Sequence, residues 1–240
     1  MQKLDKVSRF GVDMFTKCPR CFVLNYRYKI KLPFPQFTLN NAVDNLCKNE
    51  FDYYRKRQEP HPIFIENNLD VIPFDHEDID KWRHNFIGIS HEYVDKKFKF
   101  FGAVDDVWTR PNGELIIADV KATAVNEFNW DNIYAKDYGK GYQRQLEVYQ
   151  FLFRKNGFKV SNTAYLLYFN GRKHNKMFDS SLSFDYHLIK LNCDDGWVED
   201  KVFEAMDVLR SDILPDGSAN CPTCSYIKDR SVINKLKIAS

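Results

Sequence analysis

The stretch from Lys97 to Thr123 constrains the fold most, because it sets two apolar, aromatic-rich runs on either side of a turn sequence. Asn112-Gly113 between such runs is a strong hairpin signal, since both residues tolerate positive φ. We therefore predict two antiparallel strands. Side chains on a strand alternate between faces, so Asp119 and Lys121 of the second strand share a face and Val120 takes the other.

These predicted strands carry acids where a buried run should carry none: Asp105 and Asp106 on the first strand and Asp119 on the second. Removing a carboxylate from water is costly unless it pairs or binds a cation. A metal ion between Asp105 and Asp119, with Lys121 left to hold a water or an anionic oxygen, would offset that cost. Alternation places Asp106 on the opposite face, which makes it a weaker ligand candidate. A structural ion pair between Asp119 and Lys121 is the simpler alternative.

The surroundings of the Asp-x-Lys triplet carry more information than the triplet itself. Asp119-Val120-Lys121 ends an apolar run, follows a strand containing Gly102-Ala103-Val104-Asp105, and precedes a segment containing Gln145-Leu146-Glu147-Val148-Tyr149. This order and spacing resembles the PD-(D/E)XK nuclease superfamily, in particular its RecB-like branch. This branch includes the exonucleases of CRISPR adaptation and of recombinational repair. The resemblance covers about residues 18–224.

The resemblance implies an α/β (α+β) fold with a restriction-endonuclease-like core, in which a mixed central β-sheet is flanked by helices. It further implies catalysis with Mg²⁺ or Mn²⁺ held by carboxylates and a main-chain carbonyl. Gln145 and Tyr149 lie one helical turn apart on one face and would position the substrate strand. The catalytic residues implied are Asp105, Asp119, Lys121, Gln145 and Tyr149, with Asp105, Asp119 and the carbonyl of Val120 as metal ligands.

A first helix is predicted from Leu39 to about Arg57, because its apolar residues recur at spacings of three and four. These residues are Val43, Leu46, Cys47, Phe51 and Tyr54. Glu50 lies on the same apolar stripe, and Asp44 lies next to it. RecB-like relatives carry an acid or a histidine on this helix that completes the metal site, so Asp44 and Glu50 are both candidates. A solvated Asp44 and an ion-paired Glu50 are the alternative.

Further elements follow from the same patterns. Residues 122–141 predict a long loop or short helix, whose aromatic residues and lysines suit either base stacking or simple core filling. The periodicity and turn signals beyond it predict four elements: a helix at Tyr142–Arg154, a strand at Ala164–Phe169 ended by a turn at Asn170-Gly171, a strand near Tyr186–Leu191, and a helix at Trp197–Arg210.

Two Cys-x-x-Cys pairs stand near opposite ends of the chain, Cys18 with Cys21 and Cys221 with Cys224. Four thiolates form the ligand set of a tetrahedral Zn²⁺ site or of a [4Fe-4S] cluster. Both remain open at this point, as does a set of reduced cysteines without metal. RecB-like nucleases frequently use such a cluster to join the N-terminal and C-terminal arms, which the resemblance implies here.

Length and composition fit one large domain of 240 residues, 44% of them hydrophobic. We predict a single nuclease-like domain over residues 1–240, with residues 1–37 and 211–240 forming a cysteine-bridged terminal subdomain. The net charge of +2 indicates that any nucleic-acid site is a local patch. The chain lacks a signal-peptide pattern and a run of about 20 apolar residues, which predicts a cytoplasmic protein with no membrane association and reduced cysteines.

These features, together with the resemblance, predict a metal-dependent deoxyribonuclease. The type expected is an exonuclease of DNA repair, recombination or CRISPR adaptation. Its partners would be DNA and a helicase or another repair or CRISPR protein, since the chain holds no helicase motor. The alternative is a catalytically inactive nuclease fold that binds nucleic acid or a partner protein, in which Asp119 would be dispensable. A zinc-binding structural module alone would leave the acids unexplained.

Overall fold

The computed structural model describes residues 5–32 and 38–233, which form two compact units. One unit comprises residues 5–6 and 38–196, and the other comprises residues 7–32 and 197–233. Parts of the predicted terminal subdomain, residues 1–4, 33–37 and 234–240, lie outside the described residues. None of the helices described has the length and apolar content needed to cross a membrane.

The described residues contain both strands and helices, which follow one another in mixed order. The strands are β1 (Asp5–Ser8), β2 (Ile72–Pro73), β3 (Ile89–Tyr93), β4 (Phe98–Gly102), β5 (Asp106–Thr109), β6 (Leu115–Thr123), β7 (Thr163–Gly171) and β8 (Phe184–Asn192). The helices are α1 (Arg9–Lys17), α2 (Pro19–Tyr26), α3 (Thr38–Arg57), α4 (Pro62–Glu66), α5 (Ile79–Arg83), α6 (Trp130–Tyr134), α7 (Asp137–Lys155), α8 (Val198–Arg210) and α9 (Pro222–Ile233).

A five-stranded mixed sheet in the order β2-β5-β6-β7-β8 is central to the first unit, and a smaller sheet has the order β1-β4-β3. Strands β5 and β6 form the predicted antiparallel hairpin, whose turn contains Gly113 at φ +77°. Strands β6 and β7 run parallel, so the chain between them crosses over through α6 and α7. The predicted fold class, a mixed central sheet flanked by helices, is confirmed.

The alternation of β6 divides its side chains between two helices. Ile116 and Ala118 pack into a buried cluster with Cys47 and Phe51 of α3. Val120 packs against the same cluster. The side chains of β6 that alternate with these three, among them Asp119, lie on the opposite face of the strand, and α7 contacts that face. The period-2 rule therefore separates an apolar face from the face that carries Asp119 and Lys121.

The predicted first strand of the hairpin is wrong in its length. Residues 98–109 form two strands, β4 and β5, which belong to different sheets, and residues 103–105 bend between them. At the bend, the Val104 N–H donates to the carbonyl of Trp82 at 3.1 Å. The guanidinium of Arg83 donates to the carbonyl of Asp105 at 3.0 Å. Helix α5 thus satisfies backbone groups that a continuous strand would have paired in a ladder.

Three further expectations need correction. Leu46 is 68% exposed, because α3 buries a narrow face around Cys47 and Phe51 and successive residues turn by about 100°. Asn170 and Gly171 do not form a turn but continue β7 in register with β8. The helix predicted at Tyr142–Arg154 is α7, which begins earlier, at Asp137.

The second unit is held by its own contacts. Helices α1 and α2 pack on α8. The guanidinium of Arg27 donates to the carbonyls of Val208 and Leu209 at 3.0 and 3.1 Å, where α8 ends. A cation at a helix C-terminus satisfies carbonyls that have no partner within the helix and complements the helix dipole.

Asp106 is a buried structural acid. Both of its oxygens lie 2.9 Å from Nη2 of Arg55, and Oδ2 also accepts from Arg83 at 2.8 Å. The Asp106 side chain is 3% exposed and the Arg55 side chain is 3% exposed. These contacts turn the Asp106 carboxylate toward Arg55 and Arg83, whereas Asp105, in the bend before β5, contacts Lys48 and Val120.

Asp106→Asn should destabilise the protein, because it leaves two buried arginines short of a counter-charge. Removing one partner of a buried ion pair costs about 3–5 kcal/mol, which corresponds to a fall in melting temperature of roughly 10 °C for a protein of this size. Thermal unfolding followed by circular dichroism measures the effect. Asp185→Asn is the control, since Asp185 pairs with Arg172 in an exposed bridge, and exposed bridges contribute little to stability. Equal stability of the two variants would contradict the assignment.

Candidate active site

Asp119 and Lys121 form an ion pair on the face of β6 that meets α7. The Lys121 ammonium donates to Oδ2 of Asp119, whose side chain is fully buried. The Lys121 side chain is 17% exposed. The shared face predicted for these two residues is therefore present, and it is buried rather than solvated.

Asp105 reaches the same place from the bend before β5. Its Oδ2 accepts from the main-chain N–H of Val120 at 2.9 Å, and its carboxyl lies within hydrogen-bond reach of Asp119. The Val120 carbonyl oxygen lies 3.5 Å from the Lys121 ammonium. The carboxylates of Asp105 and Asp119, the Val120 carbonyl and the Lys121 ammonium thus lie close together around the main chain of Val120.

Of the two candidate acids on α3, Asp44 and Glu50, it is Asp44 that lies beside this group. The Lys48 ammonium donates to Oδ2 of Asp44 at 2.7 Å and to Oδ1 of Asp105 at 3.2 Å, so it links α3 to the bend. The other oxygen of Asp44 is buried and has no hydrogen-bond partner among the described residues. Glu50 has a different neighbour: its Oε1 lies 3.2 Å from Nε2 of His61, and its side chain is 59% exposed. The expected burial of Glu50 is wrong for the same reason as that of Leu46.

Gln145 and Tyr149 complete the arrangement from α7. Gln145 Nε2 lies 2.7 Å from Oδ1 of Asp119 and 2.9 Å from the Tyr149 hydroxyl. Tyr149 is 2% exposed. Both oxygens of Asp119 are therefore held by donors, one on α7 and one on β6, which fixes the orientation of its carboxylate.

The pKa values of Asp119 and Asp44 are raised and that of Asp105 is lowered, a divergence expected for carboxylates that share one site. Burial raises the pKa of Asp119 to about 7; the Lys121 ammonium opposes this and the Asp105 carboxylate adds to it. Burial also acts upward on Asp105, but the charges of Lys48 and Lys121 and the Val120 N–H outweigh it and lower its pKa. Burial, together with the Asp105 charge, raises the pKa of Asp44.

The donor set suits a hard divalent cation. Carboxylate and carbonyl oxygens are the ligands that Mg²⁺ and Mn²⁺ prefer. Three carboxylates against two ammonium groups, from Asp44, Asp105, Asp119, Lys48 and Lys121, leave one net negative charge when all are ionised. The buried, unpartnered oxygen of Asp44 is the kind of group that a metal ion satisfies. The residues present therefore fit such an ion.

Two residues of the arrangement have no counterpart among the sequence predictions. Lys48 follows Asp44 by four residues, a spacing that pairs charges on any helix, so its second partner Asp105 could not be inferred. Tyr142 precedes Gln145 by three residues, and its ring centroid lies 4.9 Å from the Lys121 ammonium. The spacing of three residues between Tyr142 and Gln145 could have indicated that both lie on the same face of this helix.

The four cysteines of the predicted metal site are close together in the second unit. The Sγ atoms of Cys18 and Cys224 are 3.7 Å apart, those of Cys21 and Cys221 are 3.6 Å apart, and those of Cys21 and Cys224 are 3.7 Å apart. All four ligand atoms lie within 4.8 Å of one another. Burial opposes ionisation of Cys18, but N–H groups of Cys21 and Ser218 directed at its sulfur lower its pKa to about 6.

Comparison with known proteins identifies a family for this chain. A family model described as the PD-(D/E)XK nuclease superfamily matches residues 38–228. No curated protein sequence matches the chain. Ten chains of solved structures match, among them the crystal structure of SSO0001, at 12% identity and a TM-score of 0.41 over 90% of this chain and 81% of that one.

Proposed function

Because the chain belongs to the PD-(D/E)XK nuclease superfamily, whose members are generally metal-dependent nucleases, we propose that it hydrolyses phosphodiester bonds in DNA with Mg²⁺ or Mn²⁺. The observation that carries the proposal is the convergence of Asp105, Asp119 and Lys121 around the main chain of Val120. We further propose an exonuclease that serves repair, recombination or CRISPR adaptation beside a helicase or similar partner in the cytoplasm.

The proposed metal ligands are Asp105, Asp119, the carbonyl of Val120 and Asp44, which its contacts favour over Glu50. When bound, one or two divalent ions supply Lewis-acid stabilisation of the phosphate and lower the pKa of an attacking water. Lys48 holds the carboxylates of Asp44 and Asp105 in mutual reach before an ion binds. Gln145 holds Asp119 in one orientation.

Lys121 has the second role in the proposed chemistry. Burial opposes the charge of its ammonium, but Asp119 and Asp105 outweigh burial and raise its pKa, so it stays cationic. It lies at the edge of the site next to Tyr142. From there it can stabilise negative charge as it develops on a phosphate oxygen, or orient the attacking water. Tyr149 and Gln145 would position the strand.

The first test uses purified protein with end-labelled linear DNA, single-stranded and double-stranded, and an RNA strand of the same sequence. Each is incubated with Mg²⁺, Mn²⁺ or neither. Cleavage of DNA only when a divalent ion is present supports the proposal, and the ladder of labelled products shows whether cutting starts at an end. Binding without cleavage of any substrate would favour the inactive nuclease fold instead.

Metal affinity should depend on pH through Asp119. Its pKa is raised to about 7, so a proton competes with the cation below that pH and is absent above it. The affinity for Mg²⁺ should therefore rise about tenfold between pH 6 and pH 8 and then level off, with release of up to one proton on binding. Calorimetric titration in two buffers of different ionisation enthalpy measures both quantities. A dissociation constant that does not change over this interval would contradict the assignment.

For the cysteine site we propose a single Zn²⁺ ion rather than a [4Fe-4S] cluster. Four thiolates about 2.3 Å from a tetrahedral ion lie roughly 3.8 Å apart. Three of the six sulfur pairs are 3.6–3.7 Å apart, and all four sulfurs lie within 4.8 Å of one another. In a [4Fe-4S] cluster each thiolate binds a different iron at a separate corner, which requires wider spacing. Metal analysis of protein purified without oxygen should give one zinc per chain and no absorbance of an iron-sulfur chromophore.

A further inference from the structure

One face of α7 runs from solvent into the acid site. Tyr138, Tyr142, Gln145 and Tyr149 follow at spacings of four, three and four residues, so they lie along one side of the helix. Tyr149 and Gln145 are at the Asp119 end. Tyr142 lies beside Lys121, and Tyr138, a turn further out, is 44% exposed. A ligand lying on this face would reach the carboxylates.

Rings from other parts of the same chain pack beside this face; among them Tyr168 is 4% exposed, so it supports its neighbours from below rather than offering a face to a ligand. The Tyr142 ring lies 5.9 Å from that of Tyr138 and 6.3 Å from that of Tyr168. Phe128 lies 5.1 Å from Tyr168 and stacks on His187 with centroids 4.0 Å apart and an angle of 8° between the rings. We call these five rings, from His187 to Tyr138, the aromatic path.

Positive charge accompanies the exposed end of the path. The Lys136 ammonium lies 5.8 Å from the Tyr138 ring centroid, and Lys140 is exposed one helical turn later. Among the acids of this stretch, Asp137 lies 3.8 Å from Arg144, which offsets its charge. Glu127 and Asp131 are exposed earlier in the chain, so the positive charge is local to Lys136 and Lys140. Aromatic rings beside lysines are suited to bases on one side and phosphates on the other.

The corner that carries the path is closely packed. A Cβ on Gly139 would lie 2.2 Å from the carbonyl oxygen of Ile133, so only glycine allows α7 to begin this close to α6. The Tyr134 hydroxyl donates to Gln143 at 2.7 Å across the same corner. The backbone that carries Tyr138 and Tyr142 is thus held in place, which reduces the entropy lost on binding.

We propose that the aromatic path binds single-stranded nucleic acid by stacking its bases, and leads the strand to the carboxylates. The inference rests on the proposed nuclease function. Bases in a duplex are stacked on one another and cannot offer their faces to the rings, whereas an unpaired strand can. Stacking does not distinguish DNA from RNA, since both offer the same base faces.

Fluorescence anisotropy tests the proposal on full-length Asp119→Asn protein, which allows binding to be measured without cleavage. The probes are a labelled single-stranded DNA, the RNA of the same sequence and the DNA duplex. Adding Tyr138→Ala should weaken binding of the preferred single strand about tenfold, whereas Tyr138→Phe, which keeps the ring, should change it less than about twofold. Tyr53→Ala is the matched control, because Tyr53 is 51% exposed on α3, outside the path.

A second variant reports on the phosphates. Replacing both Lys136 and Lys140 by alanine should lower the slope of log affinity against log salt by about 0.7 for each contact removed. An unchanged slope, equal losses for duplex and single strand, or an effect of Tyr138→Phe as large as that of Tyr138→Ala would overturn the proposal. So would weak binding of both single strands.

Failure of the nuclease function can be distinguished from failure of the path. Strand binding that depends on Tyr138, in a wild-type protein that cleaves nothing, would refute the proposed activity and leave the path intact. Cleavage by wild-type protein together with unchanged strand binding by Tyr138→Ala would refute the path alone.

Discussion

Asp119→Asn should lower the rate of DNA cleavage at least a thousandfold. The carboxylate is fully buried, holds contacts to Lys121 and Gln145, and lies within hydrogen-bond reach of Asp105, so its removal affects metal binding and the lysine together. The loss of a Lewis-acid contribution of several kcal/mol corresponds to about three factors of ten in rate. Initial rates on labelled DNA at saturating Mg²⁺ or Mn²⁺ give the ratio.

The chain offers a matched control for this substitution. Asp95 begins another acid-x-Lys triplet, with Lys97, but it is exposed between β3 and β4. Asp95→Asn makes the same chemical change and should leave the rate within about twofold. Equal rates for wild type, Asp119→Asn and Asp95→Asn would show that any cleavage arises elsewhere. Slow cleavage by Asp119→Asn with normal affinity for metal would place Asp119 in strand positioning instead.

Cys21→Ala should produce the largest loss of stability. Its sulfur is 3.6 Å from that of Cys221 and 3.7 Å from that of Cys224, so three thiolates without a fourth would remain. Binding of Zn²⁺ to a structural four-ligand site contributes directly to folding, with apparent free energies of about 10 kcal/mol or more in small zinc domains. We expect a fall in melting temperature of roughly 15 °C or more. Zinc content per chain should fall in parallel.

Cys193→Ala is the control for the cysteine prediction. Cys193 is 4% exposed in the first unit and lies outside the set of four. Its replacement removes a buried thiol without removing a metal ligand, so zinc content should stay at one per chain. If Cys21→Ala lost zinc but unfolded at the wild-type temperature, the site would not stabilise the fold. The rate of cleavage per folded molecule should change much less than the stability.

Local rules accounted for the part of the candidate site that lies on regular elements. Strand alternation placed Asp119 and Lys121 on one face, and the helical period placed Gln145 next to Tyr149. The spacing of the two Cys-x-x-Cys pairs predicted a set of four ligands. In the first two cases, and within each cysteine pair, the geometry depends on a few neighbouring residues, so the sequence alone contains it. The meeting of the two pairs, 206 residues apart at its widest, was implied by the family resemblance instead. The catalytic and ligand roles of these residues remain predictions.

The parts that could not be predicted depend on contacts between distant elements. The bend at Asp105 is set by Arg83 and the carbonyl of Trp82, both more than 20 residues earlier in the chain. Lys48 joins the site only because α3 lies beside that bend. The exposure of Glu50 follows from how narrow a face of α3 is buried. None of these leaves a periodic signal in the sequence.

The separation of the cysteines along the chain also sets an order on synthesis. Cys18 and Cys224 are 206 residues apart, yet their sulfurs are 3.7 Å apart in the folded unit. During translation, the first pair is made early and waits with two ligands until Cys221 and Cys224 leave the ribosome. The acid residues of the first unit are complete long before then. A chain that stops short of Cys221 would carry the acid residues with only two of the four cysteines, so under the proposed zinc site metal uptake would mark molecules whose synthesis has passed this point.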